Sequence, residues 1–385
     1  MAVCSPMGLV LTGGGARAAY QVGAIKALAQ ILSEVDRPFP VITGSSAGAI
    51  NGAVLASGAD DFAAASRRLE ELWLALAPES VYRTDVPSLA GLGIRWMGMA
   101  GGGGSRLANH LLDTAPLRAL LEREVPVERV PGHVQSGALT AFALTATNYL
   151  TGTAVSFFDG APQLDSWVRS TRLGRRTPLR IDHVMASSAI PIFFPPVELE
   201  GVVFGDGCVR LTTPLSPAIH LGADRVIAIS LRYQRSGEET AELNTLTSPG
   251  TLTLAEIAGV LLNSVFLDSV ESDIERLERI NRTLSLIPPA RLTATPAALR
   301  RIPALLLCPS QDLGELATGL SPKFPGFLRY LLRGLGAKGA RGSDLLSYLA
   351  FQRGYVEKLV DLGYRDTLGR TDEIESFARG PRALG

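Results

Sequence analysis

The sequence predicts an α/β protein with a mostly parallel sheet that is covered on both faces by helices. Two observations predict this class. Short apolar runs alternate with helical patterns along the chain, an order typical of strands that are connected through crossover helices. In addition, 46% of the 385 residues are apolar, which is enough to fill a sizeable core without disulfides.

Individual elements follow from residue type and spacing. Leu9–Leu11 is an apolar run before three glycines, and Val41–Thr43 is a β-branched run before two serines, so we expect two buried strands that end in tight turns. The pattern Leu69, Leu72, Trp73 and Leu76 is the spacing of one helix face. The remaining predicted strands are 140–147, 154–158, 202–204, 226–231 and 304–308. The predicted helices, besides the one at 69–76, are 18–32, 47–56, 254–280, 344–350 and 355–362.

Three further segments are predicted without a regular element. Residues 236–250 are polar and are expected to form a flexible connection, and the last dozen residues are expected to fray. Ser88–Gly104 is rich in glycine with leucine, isoleucine, tryptophan and methionine between. We expect a mobile apolar loop there, and three interpretations stay open: a lid, a surface that touches a membrane, or a loop packed in the core.

Charge and cysteine content exclude several classes. The 37 lysines and arginines balance 37 aspartates and glutamates, so nucleic acid is not an expected partner. The three cysteines are far apart and give neither a disulfide framework nor a zinc spacing. No signal peptide and no window of 18 uncharged apolar residues is found. We expect a cytoplasmic protein without metal or cofactor; peripheral contact with a membrane and the oligomeric state stay open.

A glycine loop follows the first strand. Gly13-Gly14-Gly15 lies between that strand and a helix, where the main chain can approach a ligand and the helix start offers free N–H groups. This arrangement suits a dinucleotide pyrophosphate or the oxyanion of an attacked acyl carbonyl. The dinucleotide interpretation needs an acidic residue after the next strand, but Gly44-Ser45-Ser46 stands there. We favour the oxyanion hole, with a structural turn as the alternative.

A candidate nucleophile follows the second strand. Gly44-Ser45-Ser46-Ala47-Gly48 matches G-x-S-x-G, and only Ser46 has glycines two residues before and after it. The motif places its serine at the tip of a sharp turn from strand to helix. The helix N-terminus also stabilises negative charge there. A serine that merely caps the helix is the alternative.

The candidate base is a carboxylate rather than a histidine. None of the four histidines lies in a glycine- or serine-rich turn after an evident strand, so we expect structural roles for them: His110, His133, His183 and His220. Asp206 follows strand 202–204 between two glycines, a position at a sheet edge with little steric cover; an Asp-Gly hairpin turn is the alternative. An ordinary carboxylate is a weak base, so partial burial would have to raise its pKa.

These three motifs, in this order, resemble those of the patatin-like phospholipases. The family's G-G-G-x-R-G loop is matched by Gly13–Arg17, with Ala18 in place of the last glycine. The nucleophile motif matches in full. The family's Asp-Gly-Gly/Ala motif is present as Asp206-Gly207-Cys208, with cysteine in the third place. Residues 186–197 and 214–231, and the C-terminal part from 305, are also similar to family members.

The resemblance implies a three-layer α/β/α domain with a nucleophile elbow over residues 1–370. Its core would span 7–235, with helical and strand additions over 250–370 and a tail over 371–385. It also implies a lipid acyl hydrolase, a phospholipase A or esterase, that uses a Ser46–Asp206 dyad and an acyl-enzyme. The implied oxyanion donors are the N–H groups of Gly14, Gly15 and Ala16. The motif residues expected to support these groups are Gly13, Arg17, Gly44, Gly48 and Gly207.

Several alternatives stay open on the sequence alone. A Ser-His-Asp hydrolase would use His220 as its base. An acyltransferase or thioesterase would use the same serine and the same acyl-enzyme. A lipid- or nucleotide-binding protein would keep the glycine loop without catalysis. The implied partner of the preferred interpretation is a lipid or ester substrate.

Overall fold

The computed structural model describes residues 6–83, 110–245, 253–267, 269–288, 299–318 and 346–380. The predicted apolar loop at 88–104 lies outside the described residues. Within the described ranges, no helix combines the length and hydrophobicity that crossing a bilayer requires. The same ranges contain no group of three or more His, Cys, Asp or Glu side chains placed to hold a metal ion.

The strands of the described residues form one sheet. They are β1 (Met7–Leu11), β2 (Val41–Ser45), β3 (Ala141–Asn148), β4 (Thr153–Gly160), β5 (Trp167–Val168), β6 (Arg172–Arg176), β7 (Val197–Leu199), β8 (Val202–Asp206), β9 (Arg225–Ile229) and β10 (Ala304–Leu307). The order is β10-β9-β1-β2-β3-β4-β6-β5, and β8 joins β3 to β7. Strands β10, β9, β1, β2 and β3 are parallel neighbours. The predicted mostly parallel sheet is therefore confirmed.

Helices cover this sheet. They are α1 (Ala19–Ile31), α2 (Ala47–Ser57), α3 (Phe62–Leu74), α4 (Pro78–Val81), α5 (Ala115–Glu124), α6 (Val130–Ser136), α7 (Ile181–Ser187), α8 (Ser216–His220), α9 (Gly237–Thr245), α10 (Leu254–Phe266), α11 (Ser269–Ser285), α12 (Arg353–Leu368) and α13 (Thr371–Arg379). Short 3-10 turns lie at Gly15–Ala18, Val127–Arg129, Gly207–Val209 and Glu315–Ala317.

Alternation along the strands separates two hydrophobic cores. In β1, Leu9 and Leu11 belong to the larger core, whereas Val10 belongs to the smaller one. Successive side chains of a strand point to opposite faces, so the two cores lie on opposite faces of the sheet. Helices α1, α2, α3 and α12 contribute to the larger core, and α8 and α11 to the smaller one. This is the predicted three-layer arrangement.

Strand β3 brings two distant parts of the chain together. Its first half pairs with β2 in parallel, and the last of these pairs is Ser45 with Thr145. Its second half pairs with β8 in antiparallel fashion, beginning with Ala146 opposite Asp206. Its other edge is occupied by β4. The ends of β2 and β8 therefore meet along one edge of β3.

The structure corrects the predicted helix over 254–280, which is two helices. Helix α10 packs Phe266 into the larger core, whereas α11 packs Val270 and Ile274 into the smaller core. Because the two segments bury side chains in different cores, one straight helix cannot serve both. The apolar spacing showed helical residues but not the change of face.

Two predicted irregular segments also contain helices. In the expected flexible connection, α9 begins at a capping pair in which Ser236 and Glu239 each accept the other's main-chain N–H. The expected frayed end contains α13, where Ile374 is fully buried and Arg225 donates to the carbonyl of Phe377 at 2.6 Å. The helix predicted over 344–350 lies partly outside the described residues; residues 346 and 347 are helical, and residues 348 and 349 form a turn.

Candidate active site

Ser46 lies in the predicted turn from strand to helix. Strand β2 ends at Ser45, helix α2 begins at Ala47, and Ser46 between them has φ 53° and ψ −131°. Residues other than glycine adopt such a conformation only where their surroundings enforce it. A Cβ on Gly44 would lie 2.3 Å from the Gly48 oxygen, and one on Gly48 would lie 2.3 Å from the Leu11 oxygen. Both positions therefore require glycine.

Asp206 is the last residue of β8 and is completely buried. The expectation of little steric cover is therefore wrong, because pairing with β3 carries the carboxyl into the interior. Its Oδ1 accepts the N–H of Cys208 at 2.9 Å. Its Oδ2 is buried and has no hydrogen-bond partner among the described residues. One carboxyl oxygen is thus held while the other is available.

Burial changes the acidity of this carboxyl. Desolvation raises the pKa of Asp206 from 3.8 to about 7, whereas the nearby polar groups of Ser46 and Cys208 oppose that rise. Near neutral pH the group can therefore hold or release a proton. The sequence analysis required partial burial for a useful base, and the structure provides complete burial.

Gly13 joins all three motifs. A Cβ built on Gly13 would lie 2.6 Å from the Cβ of Ser46 and 2.3 Å from the Sγ of Cys208. In the turn after Asp206, a Cβ on Gly207 would lie 1.9 Å from the carbonyl oxygen of Thr145 on β3. The glycine loop, the candidate nucleophile and the Asp206 turn are thus packed against one another and against β3.

Two of the three predicted oxyanion donors are available. The N–H groups of Gly14 and Gly15 donate no hydrogen bond within the described part of the chain. The N–H of Ala16 donates to the carbonyl of Tyr348 at 2.9 Å, so the prediction for Ala16 is wrong in this arrangement. Gly15 has φ 56°, and a Cβ there would lie 2.2 Å from the Tyr348 oxygen. Contact with this C-terminal turn, which the sequence analysis did not foresee, fixes the loop.

Arg17, at the end of the glycine loop, is buried and contacts α10 and the C-terminal turn. Arg17 is 2% exposed. Its guanidinium donates to Ser347 Oγ at 2.7 Å and to Asn263 Oδ1 at 3.3 Å, and it stacks over the ring of Tyr348 at 4.4 Å. These contacts join the start of the first helix to α10 and to the C-terminal turn at 347–348. Ala18, the departure from the family loop, has φ −65° and ψ −7°, a helical conformation that alanine adopts without strain.

An apolar pocket opens at Ser46. Helices α2 to α5, the segment after α7 and the C-terminal turn contribute its wall: Ala47, Ile50, Leu72, Trp73, Leu76, Val81, Leu117, Leu120, Leu121, Ser188, Ile190, Phe194 and Phe351, together with Gly15 and Ser46. Such a surface suits a hydrocarbon chain. The sequence analysis did not assign the apolar wall residues to a site, because their spacing is that of ordinary core positions.

The histidines whose contacts are described make structural contacts away from Ser46. His183 accepts the N–H of Arg180 at 3.0 Å, and burial lowers the pKa of His183 to about 4. His133 contacts the carbonyl of Ser57 at 3.0 Å. His220 stacks on Trp167, which packs on the smaller core, whereas the pocket at Ser46 is walled by the larger core. The structure does not bring His220 to Ser46.

A chain of buried hydrogen bonds connects helices α3, α2 and α1 to the start of the glycine loop. Trp73 donates to Asn51 Oδ1 at 2.7 Å, and Asn51 donates to Gln21 Oε1 at 2.9 Å. Gln21 then donates to the carbonyl of Thr12 at 2.8 Å, directly before the glycine loop. The sequence analysis did not identify this chain. The available signal was a polar residue within the apolar pattern of each of two helices, Gln21 in α1 and Asn51 in α2.

Comparison with known proteins agrees with the three motifs. A family model described as patatin-like phospholipase matches residues 9–219. An uncharacterised NTE family protein of Mycobacterium tuberculosis is 28% identical over 232 residues, which is 60% of this chain and 50% of that protein. The chain therefore spans about half the length of the curated relatives that it matches.

Two other similarities are more limited. A protein named lysophospholipase nte1, of Aspergillus terreus, is 54% identical over 54 residues, 14% of this chain and 3% of that protein. A solved structure of human GIVD cytosolic phospholipase A2 in complex with methyl gamma-linolenyl fluorophosphonate is 15% identical in sequence, with a TM-score of 0.43. The similarity covers 97% of this chain and 59% of that chain. Because the family model covers more than half of the sequence, the chain belongs to the patatin-like phospholipase family.

Proposed function

We propose that this chain is a lipid acyl hydrolase that cleaves carboxylic esters through an acyl-enzyme on Ser46. The observation that carries the proposal is the combination of a strained serine at an apolar pocket with a buried carboxylate whose Oδ2 has no partner among the described residues. The pocket suits an acyl chain, and the carboxylate suits proton transfer.

In the first half-reaction, Ser46 Oγ attacks the ester carbonyl carbon while Asp206 takes the hydroxyl proton. The N–H groups of Gly14 and Gly15 stabilise the oxyanion. Collapse of this intermediate breaks the ester bond, and the alcohol leaves with the proton from Asp206. In the second half-reaction, water attacks the acyl carbon while Asp206 takes a proton from it. The bond between the acyl carbon and Ser46 Oγ then breaks, Asp206 returns the proton to Oγ, and the fatty acid is released.

The dyad is tested with matched serine variants. Ser46→Ala and Asp206→Asn should lower hydrolysis of a p-nitrophenyl ester by at least about 10³-fold, whereas Ser45→Ala, which alters the neighbouring residue, should stay within about threefold of wild type. An alkyl fluorophosphonate should add its phosphonyl mass to Ser46 in intact-mass spectra. Full turnover by Ser46→Ala, or labelling elsewhere in the chain, would overturn the assignment.

The same samples distinguish the alternatives. Acyl transfer to an added alcohol in preference to water would indicate an acyltransferase, and preference for thioesters over oxygen esters would indicate a thioesterase. Loss of turnover in His220→Ala would favour the histidine-dependent mechanism. Lipid retention without turnover would indicate a binding protein.

The acyl pocket is tested by cavity formation. Leu121 is fully buried and lines the pocket, so Leu121→Ala should shift preference towards longer acyl chains. Leu139→Ala removes an equal volume from a core position that does not line the pocket. It should lower stability without changing the order of preference among ester chain lengths. Equal changes in both variants would count against the pocket.

We also propose that the substrate is reached at a lipid surface by a peripheral, cytoplasmic protein. Helix α10 packs near the 207–209 turn and exposes Ile257, Val260 and Leu261. Val260→Asp should reduce co-sedimentation with phosphatidylcholine vesicles, whereas Leu286→Asp, at an equally apolar exposed site after α11, should not. The single catalytic domain over 1–370, with its core at 7–235, belongs to the same proposal.

A further inference from the structure

Ser46 is held through its main chain by two serine side chains. Its N–H donates to Ser187 Oγ at 3.1 Å, and its carbonyl accepts from Ser188 Oγ at 3.0 Å. Ser187 is fully buried and Ser188 is 5% exposed. A serine with φ 53° needs such enforcement, and these bonds grip the peptide groups on both sides of the strained Cα.

The Ser187 hydroxyl has a fixed direction. It donates to the carbonyl of Thr145 at 2.6 Å, and a hydroxyl has a single proton to donate. Its lone pairs therefore remain for the N–H of Ser46. Because Thr145 lies opposite Ser45 on β3, Ser187 ties the turn to the strand that organises the site.

Ala189, the residue after Ser188, binds the main chain of Asp206, the second residue of the proposed dyad. The N–H of Asp206 donates to the carbonyl of Ala189 at 3.0 Å, and the carbonyl of Asp206 accepts from Thr147 Oγ1 at 2.7 Å. Three consecutive residues, Ser187 to Ala189, thus bind the main chains of both Ser46 and Asp206. Consecutive Cα atoms are about 3.8 Å apart, so this segment spans the gap between the dyad residues with a fixed length.

We propose that Ser187, Ser188 and Ala189 form a clamp that sets the separation of Ser46 from Asp206. This inference rests on the proposed function. Ser187 and Ser188 are positioning residues that act through the main chain. Proton transfer from serine to carboxylate depends steeply on the distance between them, and a displacement of about 1 Å can cost about 100-fold in rate. Loss of either serine hydroxyl should therefore lower kcat more than it changes KM.

Single substitutions separate the clamp from general packing. Ser187→Ala and Ser188→Ala should lower kcat for a short p-nitrophenyl ester about 10- to 100-fold, with KM within about threefold. Ser188→Thr retains a hydroxyl and should recover part of the loss. Should Ser187→Ala fail to fold, Ser188→Ala provides the test, because it leaves the bond from Ser187 to Thr145 intact.

The matched control is Ser156→Ala. Ser156 is also a buried serine, and its hydroxyl bonds Thr145 Oγ1 at 2.8 Å, without contacting the peptide of Ser46. It should lower the thermal midpoint comparably and leave kcat within about threefold of wild type. All variants are assayed well below their thermal midpoints.

The outcomes distinguish the clamp from the function on which it rests. Wild-type kcat in both Ser187→Ala and Ser188→Ala, while Ser46→Ala is inactive, overturns the clamp alone. An equal loss of kcat in Ser156→Ala also overturns it, because buried hydroxyls would then act only through stability. Undiminished turnover in Ser46→Ala overturns the proposed function together with the clamp.

Discussion

Gly13 and Ser46 are packed so closely that a Cβ on the glycine would lie 2.6 Å from the Cβ of the serine. Observed Cβ contacts are not that short, so the glycine loop and the turn at Ser46 fit together only while residue 13 has no side chain. The family's first loop glycine thus has a steric role as well as a conformational one.

Substitution Gly13→Ala should therefore impair both packing and turnover. The added methyl group would meet Cys208 Sγ at 2.3 Å as well as Ser46, and overpacking of this kind costs about 1–3 kcal/mol. We expect a lower thermal midpoint and at least a tenfold loss of ester hydrolysis. Gly132→Ala is the control, because a Cβ there has no neighbour within 4 Å; a wild-type rate in Gly13→Ala would contradict the steric role.

The rate of hydrolysis should follow ionisation of Asp206. With the pKa of Asp206 at about 7, the base is protonated in acid, so kcat/KM should rise with pH and level off above a midpoint near 7. At pH 6 the rate should be about tenfold below the plateau. Fatty acid release is measured by mass spectrometry, so that ionisation of a coloured product does not enter. A midpoint near 4 would show that burial does not tune this group.

The contribution of Asp206 to the free energy of unfolding should fall as pH rises, whereas kcat/KM should rise. The folded pKa of Asp206, about 7, exceeds its ordinary value of 3.8, so the folded state binds the proton more tightly than the unfolded state. The stability from that proton is fully present below about pH 4 and is lost as pH rises to about 7, in total on the order of 4 kcal/mol.

Urea unfolding of wild type and Asp206→Asn at pH 5 and pH 8 isolates this contribution. Other titrating groups are shared by both proteins and cancel in the difference. Because asparagine does not ionise, Asp206→Asn should gain stability relative to wild type as pH rises. A difference that is independent of pH would contradict a buried, titrating Asp206.

The polar chain through Asn51 should make a large contribution to stability. Asn51→Ala leaves the Trp73 N–H and the Gln21 amide oxygen without their partner, at a cost of about 2–4 kcal/mol in the free energy of unfolding. Asn244→Ala, on the exposed face of α9, should change that energy by less than about 0.5 kcal/mol. Similar losses in both variants would show that the buried chain has no special role.

Much of this architecture could be predicted from the sequence, because local chemistry determines it. The run Val41–Thr43 and the glycines around Ser46 specify a strand and a sharp turn wherever they occur. The same holds for Leu69, Leu72, Trp73 and Leu76, whose spacing alone defines a buried helix face. Their positions were predicted within a few residues.

The errors arose where distant residues decide the outcome. Asp206 was expected at an open edge, but β3 and the segment at Ala189 enclose it. Ala16 was expected as an oxyanion donor, but its N–H is taken by Tyr348, more than three hundred residues later. The residues next to Asp206 and Ala16 in the sequence do not indicate either of these distant contacts. The change of face between α10 and α11 is similarly a property of the assembled sheet.

The meeting of β2 and β8 on β3 has a consequence for synthesis of the protein. When the ribosome has released the first 150 residues, the chain already holds Ser46, the turn around it and strand β3 beside it. It still lacks strand β8, which ends at Asp206. A growing polypeptide therefore cannot assemble the proposed dyad until β8 has been synthesised and has paired with β3.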